Sequence, residues 1–177
     1  MFDSIILVIF LKIFRTKNTK INFWLDVSLL IAVLAVVLYA FFWPIRVTGN
    51  SMSPSVNHGD HLALSRFLGR FGRLSSGDVV LVRIDGNSAV KRLAAAPGDH
   101  IRLESGMLYV NGTAALWALH GNCNKFIDKI LGVDEFFLLG DNLEISTDSR
   151  HFGPISQRQI VAKILIRYFP LTDINFY

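Results

Sequence analysis

The chain has 177 residues, a formal net charge of +4, 51% hydrophobic residues and a mean hydropathy of +0.41. Its length suits one compact domain with an appendage and argues against two full domains. Its hydropathy is high for a soluble protein and directs attention to a membrane segment, and its single cysteine, Cys123, excludes an internal disulfide.

The cations of the second half (Arg66, Arg70, Arg73, Arg83, Arg92, Arg102) are scattered, with no basic run interleaved with aromatics. Nucleic acid is therefore not an expected partner, and anionic lipid is the simpler use of the charge. The first 23 residues hold a short apolar stretch, 5–14, broken by Lys12, and then three cations in the six residues 15–20. About ten apolar residues are short for a membrane span, so 5–14 is expected in the interface or as a shortened first helix. The segment 24–43 is bounded by Trp24 and Trp43, and 27–43 carries no charge. That length approaches the roughly 20 residues that cross a bilayer, and tryptophans accumulate at its two interfaces. Asp26 lies in the first turn, tolerable at an interface and costly at mid-bilayer. The cations of 15–20 put that side in the cytoplasm and everything after Trp43 outside. The run is too long for a cleaved leader and no small-x-small site precedes Pro44, so it reads as an uncleaved signal anchor.

From residue 44 to 177 the composition changes to short β-rich runs punctuated by glycine. Gly-Asp recurs at Gly59-Asp60, Gly77-Asp78, Gly98-Asp99 and Gly140-Asp141, and the first three precede the apolar runs 61–64, 79–84 and 100–103. Turn residues ahead of such runs predict a mainly β domain of antiparallel hairpins. Leu108-Tyr109-Val110 followed by Asn111-Gly112 predicts a strand and a hairpin turn; the turn accounts for Asn111-Gly112-Thr113 without invoking the glycosylation sequon it also fits. Residues 65–76 alternate arginines with Phe67, Leu68, Phe71 and Leu74, as a short amphipathic helix or a mobile loop would. Periodicity fades over 114–134, where a loop-rich insertion is expected, and 135–139 and 160–169 read as buried strands.

Two stretches carry candidate chemistry. In Thr48-Gly49-Asn50-Ser51-Met52-Ser53-Pro54 a serine sits between a flexible glycine and a stiffening proline, with its own N–H available to a developing oxyanion. In Ala89-Val90-Lys91-Arg92-Leu93 a lysine lies inside an apolar, strand-like run. Lysine is a poor base at its free pKa of roughly 10.4, and desolvation lowers that value by several units. Ser51 and Lys91 thus suit the Ser-Lys form of a nucleophile and its base. A third stretch, 140–153, is dense in polar groups for a segment beside strands, and buried polar groups need partners. There Asp148 and Arg150 suit a charge-assisted pair, and Ser146 suits a hydrogen bond that orients an amine. The histidines (His58, His61, His100, His120, His151) lack metal-ligand spacing, so no metal site is expected, and His151 is not preferred over Lys91 as the base.

Ser-Met-x-Pro-Ser, Val-Lys-Arg-x-x-x-x-Pro-Gly-Asp and Gly-Asp-Asn-x-x-x-Ser-x-Asp-Ser-Arg-x-x-Gly stand in this order behind an apolar segment. Together they resemble bacterial type I signal peptidase, the membrane-anchored Ser/Lys endopeptidase family, over essentially all of 24–169. The resemblance implies an antiparallel β-rich catalytic domain, similar also to the self-cleaving SOS repressors. Those repressors need a DNA-binding domain where this chain has its apolar segment. It further implies Ser51 as nucleophile and Lys91 as general base, supported by Ser146, Asp148 and Arg150. Ile45, Val47, Met52 and Val90 would line the substrate groove. Gly49 occupies a position where several members carry a second serine, so the oxyanion would rely mainly on the Ser51 N–H. Leu143 and Glu144 also depart from the common pattern, leaving the Ser146 and Asp148 spacing intact. The implied substrates are preprotein signal peptides cut after Ala-x-Ala, with no cofactor, at the extracytoplasmic face of the cell's inner membrane. Membrane lipid and the protein-export translocon are the other partners such a place implies. A dedicated processing protease on the same fold, or a catalytically silent anchored binding protein, are the alternatives.

Overall fold

The computed structural model describes residues 21–41, 43–115 and 125–177. The expectations for 5–14, 15–20, His120 and Cys123 lie outside these residues. The chain divides into two units between Ala40 and Phe41.

In the first unit, α1 (Ile21–Phe41) is a 21-residue helix. Its sequence has no proline or glycine to interrupt it, and its apolar residues occupy every face. Trp24, Leu30, Ile31 and Val36 are each at least 61% exposed, whereas a helix in water keeps such residues to one stripe. The side chains described run from 23 to 39. Counted on the described residues, no helix is long and apolar enough to cross a membrane.

The second unit is antiparallel throughout. Its larger sheet has the strand order β1 (Trp43–Arg46), β2 (His61–Ser65), β11 (Ile160–Phe169), β3 (Val79–Ile84), β4 (Asn87–Ala95), β9 (Glu135–Leu139), β10 (Ile155–Ser156), with β12 (Asn175–Phe176) also on β11. The smaller sheet is ordered β7 (Thr113–Ala114), β6 (Met107–Val110), β5 (His100–Glu104), β8 (Ile127–Ile130). The strands at 79–84, 135–139 and 160–169 have the bounds expected of them. The region 114–134, expected to be loop-rich, contributes β8, which pairs with β5 through His100↔Ile130 to Leu103↔Ile127.

Local chemistry explains these elements. Asn111 and Gly112 both have positive φ, as a two-residue type I′ turn requires. The Asn111 side chain reaches from that turn to the start of β5, accepting from the His100 N–H at 2.9 Å and donating to Asp99 at 2.8 Å. The segment at 65–76 forms α2 (Arg66–Phe71), capped by the Ser65 hydroxyl. Gly69 lets it lie against β11, since a Cβ there would fall 2.4 Å from the Ala162 Cα.

One core cluster lies between the sheets and another beneath the loop that joins β1 to β2. The first gathers Ala94, Ile101, Leu103, Leu108, Phe137 and Leu139. The other packs Met52 and Val56 against Leu62, Leu64, Val79 and Ile164. Met52 and Val56 belong to the loop between β1 and β2, and burying each fully contributes about 1.5–3 kcal/mol. That burial holds the Ser51 loop onto the sheet.

Candidate active site

Ser51, half-buried, sits in the loop 47–60 that joins β1 to β2. The loop is closed at its base by Val47 N–H to Asp60 C=O at 2.8 Å and Gly59 N–H to Val47 C=O at 3.0 Å. Its tip turns through Ser53 N–H to Asn50 C=O at 3.1 Å and Val56 N–H to Met52 C=O at 2.9 Å. Among the described residues the Ser51 N–H donates no hydrogen bond. The Gly49 N–H, by contrast, is held by His58 Nδ1 at 3.2 Å.

Lys91 lies in the middle of β4, opposite Val80 of β3, and is 2% exposed. Its Nζ donates to Ser146 Oγ at 2.8 Å. Burial lowers the lysine pKa by stripping water from the ammonium. The carboxylates of Asp148 and Asp141 push it back up, while the Arg150 guanidinium pushes it further down.

The segment 140–153 wraps this pair. Asp148, fully buried, receives Arg150 Nε at 2.8 Å and Nη2 at 2.9 Å, a bidentate pair with both partners out of water. The same carboxylate accepts the Gly140 N–H at 3.0 Å and caps α3 (Ser149–Phe152) through the Arg150 N–H at 3.2 Å. Arg150 Nη2 also reaches the Leu143 carbonyl at 2.9 Å and the Ser146 carbonyl at 3.3 Å. These bonds leave little freedom in the backbone that aims Ser146 at Lys91. His151 completes the cap by accepting the Asp148 N–H at its Nδ1, 3.3 Å away, so that nitrogen is not free to act as a base.

Gly140 joins the serine loop to this segment. A Cβ there would fall 2.2 Å from Ser146 Oγ and 2.4 Å from the Ser51 carbonyl oxygen. Both groups crowd into the space a side chain would need. The Ser51 carbonyl also accepts the Asn142 N–H at 3.1 Å. Ser51, Lys91, Ser146, Asp148 and Arg150, spread over a hundred positions of sequence, thus converge. Ser51 and Lys91 are not hydrogen-bonded to each other; Lys91 spends its bond on Ser146. A nucleophile–base bond is often long without substrate and tightens in the complex.

In front of Ser51 runs a groove of about 330 Å³. Ile45, Val47, Gly49, Met52 and Val90, all named from sequence, line it together with Leu81 and Ala89. Met52 and Val47 are 2% and 7% exposed, so they form floor and the others form wall. The groove lies along two strands with open edges among the described residues: β1 pairs only with β2, and 87–90 of β4 pair only with β3.

Sequence reasoning gave no role to Gly140, Arg92 or Asp141, although all three stand in the quoted motifs. Arg92 binds Asp141 through two bonds, 2.8 and 2.6 Å, and the Gly77 carbonyl at 2.8 Å. It ties the strand carrying Lys91 to the segment carrying Ser146. An Arg and an Asp in motifs 49 positions apart were the available signal. Among the described residues no cluster of His, Cys, Asp and Glu is placed to hold a metal ion.

The family model described as Signal peptidase, peptidase S26 matches residues 21–169. Signal peptidase IB of Staphylococcus aureus (strain MRSA252) is 27% identical over 90% of this chain and 95% of its own. Signal peptidase I of Bacillus amyloliquefaciens is 28% identical over 91% of each chain. A crystal structure of a signal peptidase I from Enterococcus faecalis V583 aligns at a TM-score of 0.42 and 23% identity, over 51% of this chain and 96% of that one.

Proposed function

We propose, for a chain that belongs to the signal peptidase family S26 and is a serine endopeptidase, that it removes signal peptides from exported preproteins. In this reading Ser51 is the nucleophile, Lys91 the general base, and cleavage follows Ala-x-Ala. The observation that carries it is Lys91: 2% exposed, its Nζ 2.8 Å from Ser146 Oγ, behind a groove lined by Ser51.

A buried lysine with a lowered pKa gives up its proton more readily than a free one, and in its uncharged form it accepts the Ser51 hydroxyl proton as the oxygen attacks the scissile carbonyl. Ser146 holds the amine in place through the transfer. The oxyanion is met by the Ser51 N–H, which donates no hydrogen bond among the described residues. Lys91 then passes its proton to the leaving amine and activates the water that releases the acyl group from Ser51.

An extended peptide entering the groove would pair with the open edges of β1 and of 87–90, the β-augmentation mode of binding. Val47, Met52, Ala89 and Val90 leave shallow apolar space, which suits alanine and excludes bulky side chains. Such a strand-like substrate is the stretch around a signal-peptide cleavage point.

α1 is the membrane anchor in this reading. That role rests on the apolar segment 24–43, free of charge from residue 27 and close to the roughly 20 residues that cross a bilayer; the described part of the helix alone falls short of a span. The cations of 15–20 keep that end in the cytoplasm and the β domain on the extracytoplasmic face.

The test is cleavage of an Ala-x-Ala preprotein in detergent by the full chain and by Ser51→Ala and Lys91→Ala. Cutting after the second alanine by the wild type alone supports the reading. Equal cutting by Lys91→Ala excludes Lys91 as base. No cutting by wild type redirects the reading to a narrower substrate.

A further inference from the structure

We infer that Arg167, on β11, is a positioning residue for Ser51, acting through the Ser55 carbonyl and the Asp60 carboxylate. The inference rests on Ser51 being the nucleophile.

The loop 47–60 has no helix or strand of its own, so its shape depends on what it is tied to. Its base is tied by backbone bonds and its underside by Met52 and Val56. The Asn142 N–H holds its Ser51 carbonyl at 3.1 Å, and a further tie is a guanidinium from a strand more than a hundred positions away. Arg167, 4% exposed, donates from Nη1 to the Ser55 carbonyl at 2.9 Å and to Asp60 Oδ2 at 3.1 Å. Its other face is spent on Asp173, through Nε to the carbonyl at 2.9 Å and Nη2 to Oδ2 at 2.6 Å. The Tyr177 hydroxyl reaches the same Ser55 carbonyl at 2.7 Å.

The bonds continue toward the serine. Asp60 Oδ2 also accepts the Asn57 N–H at 2.8 Å, and the Asn57 side chain accepts the Ser53 hydroxyl at 2.8 Å. A continuous chain thus runs from Arg167 through Asp60 and Asn57 to Ser53, two residues from Ser51.

Taking a guanidinium out of water is costly, and an apolar residue of similar length fills a strand position at less cost. What the guanidinium adds is geometry: one rigid fork fixes two acceptors of one loop at once. A displaced nucleophile slows the chemical step more than it weakens binding, because Ile45, Leu81, Ala89 and Val90 of the groove lie on strands outside the loop.

The experiment compares wild type, Ser51→Ala, Arg167→Met, Arg167→Lys and Lys163→Met, as full chains in detergent on the Ala-x-Ala preprotein, each below its own melting temperature. Lys163 is the control: it lies on the same strand and pairs with Asp78 at 2.7 Å. In Arg167→Met, kcat is expected to fall about 30-fold with KM within about twofold. Arg167→Lys, keeping a cation beside Asp60 and Asp173, is expected to fall in between, and Lys163→Met to keep its kcat.

A wild-type kcat in Arg167→Met, or an equal loss in Lys163→Met, overturns the inference. If Arg167→Met does not fold, Arg167→Lys decides: a wild-type kcat overturns the inference, and a lowered kcat at unchanged KM supports it. Cleavage retained by Ser51→Ala overturns the nucleophile reading and this inference with it. Loss in Ser51→Ala beside unchanged Arg167 variants overturns the inference alone.

Discussion

The turns at Gly59-Asp60, Gly77-Asp78 and Gly98-Asp99 and the segment at Gly140-Asp141 use the same two residues to opposite ends. In the first three the glycine has φ between 87° and 97°, and a Cβ there would meet nothing within 4 Å. The aspartate closes each turn identically, its Oδ2 accepting the N–H three residues earlier: Asn57 at 2.8 Å, Ser75 at 3.0 Å and Ala96 at 2.8 Å. These glycines are required by the backbone and not by space. At Gly140 the requirement is reversed. Its φ is not positive, but Ser146 and Ser51 fill the volume that a side chain would occupy. Asp141 closes no such turn and instead holds Arg92. A repeated dipeptide is therefore a structural device three times and a part of the site once, and only the surroundings tell them apart.

Substitutions sharpen that contrast, beginning with the largest effect. Arg150→Met would leave the fully buried Asp148 carboxylate unpaired behind Gly140, and chemical denaturation should show a loss of about 3–5 kcal/mol. Gly140→Ala comes next. Its methyl must displace Ser146 or Ser51, so preprotein cleavage should fall about 100-fold, with a stability loss of about 1–3 kcal/mol from overpacking.

Gly77→Ala is the paired control. It forces a side chain into the left-handed region at a cost of about 1–2 kcal/mol, with kcat/KM unchanged in the folded enzyme. Equal effects of the two alanines on kcat/KM would erase the distinction. The smallest expected effect concerns Lys91 and pH. Its folded pKa lies below the ordinary 10.5, so between the two values the folded state binds fewer protons than the unfolded one. Stability due to this group therefore rises with pH across that window and is lost as pH falls through the folded value. Lys91→Met should remove that rise from denaturation curves measured against pH.

Much of the β domain was legible in the sequence because its signals are local. Val79–Ile84, Glu135–Leu139 and Ile160–Phe169 are apolar runs beside turn residues, and Asn111-Gly112 fits one turn type. β8 was not legible. In Ile127-Asp128-Lys129-Ile130 the apolar Ile130 is 67% exposed and the chain alternates without an apolar face, so only pairing with β5 makes it a strand. The turns at Asp85-Gly86 and Ser105-Gly106, both with two positive φ values, carried the same signal as Asn111-Gly112 and went unread.

The candidate site followed the same division. Ser51, Lys91, Ser146, Asp148 and Arg150 could be named as candidates from sequence because motifs fix their spacing. The crowding at Gly140, the Arg92–Asp141 bridge and the Arg167 fork depend on segments far apart in the chain. No local pattern encodes them.

In the proposed mechanism an uncharged Lys91 is the base for Ser51. The most direct test is kcat/KM for an Ala-x-Ala preprotein as a function of pH, for wild type and Arg150→Met, since this parameter reports the groups of the free enzyme. A rising limb is expected with its midpoint below 10.5, moving upward in Arg150→Met because a neighbouring cation that disfavours protonation is gone and Asp148 is unopposed. A limb that stays at the ordinary lysine value, or that ignores the Arg150 substitution, would contradict that mechanism.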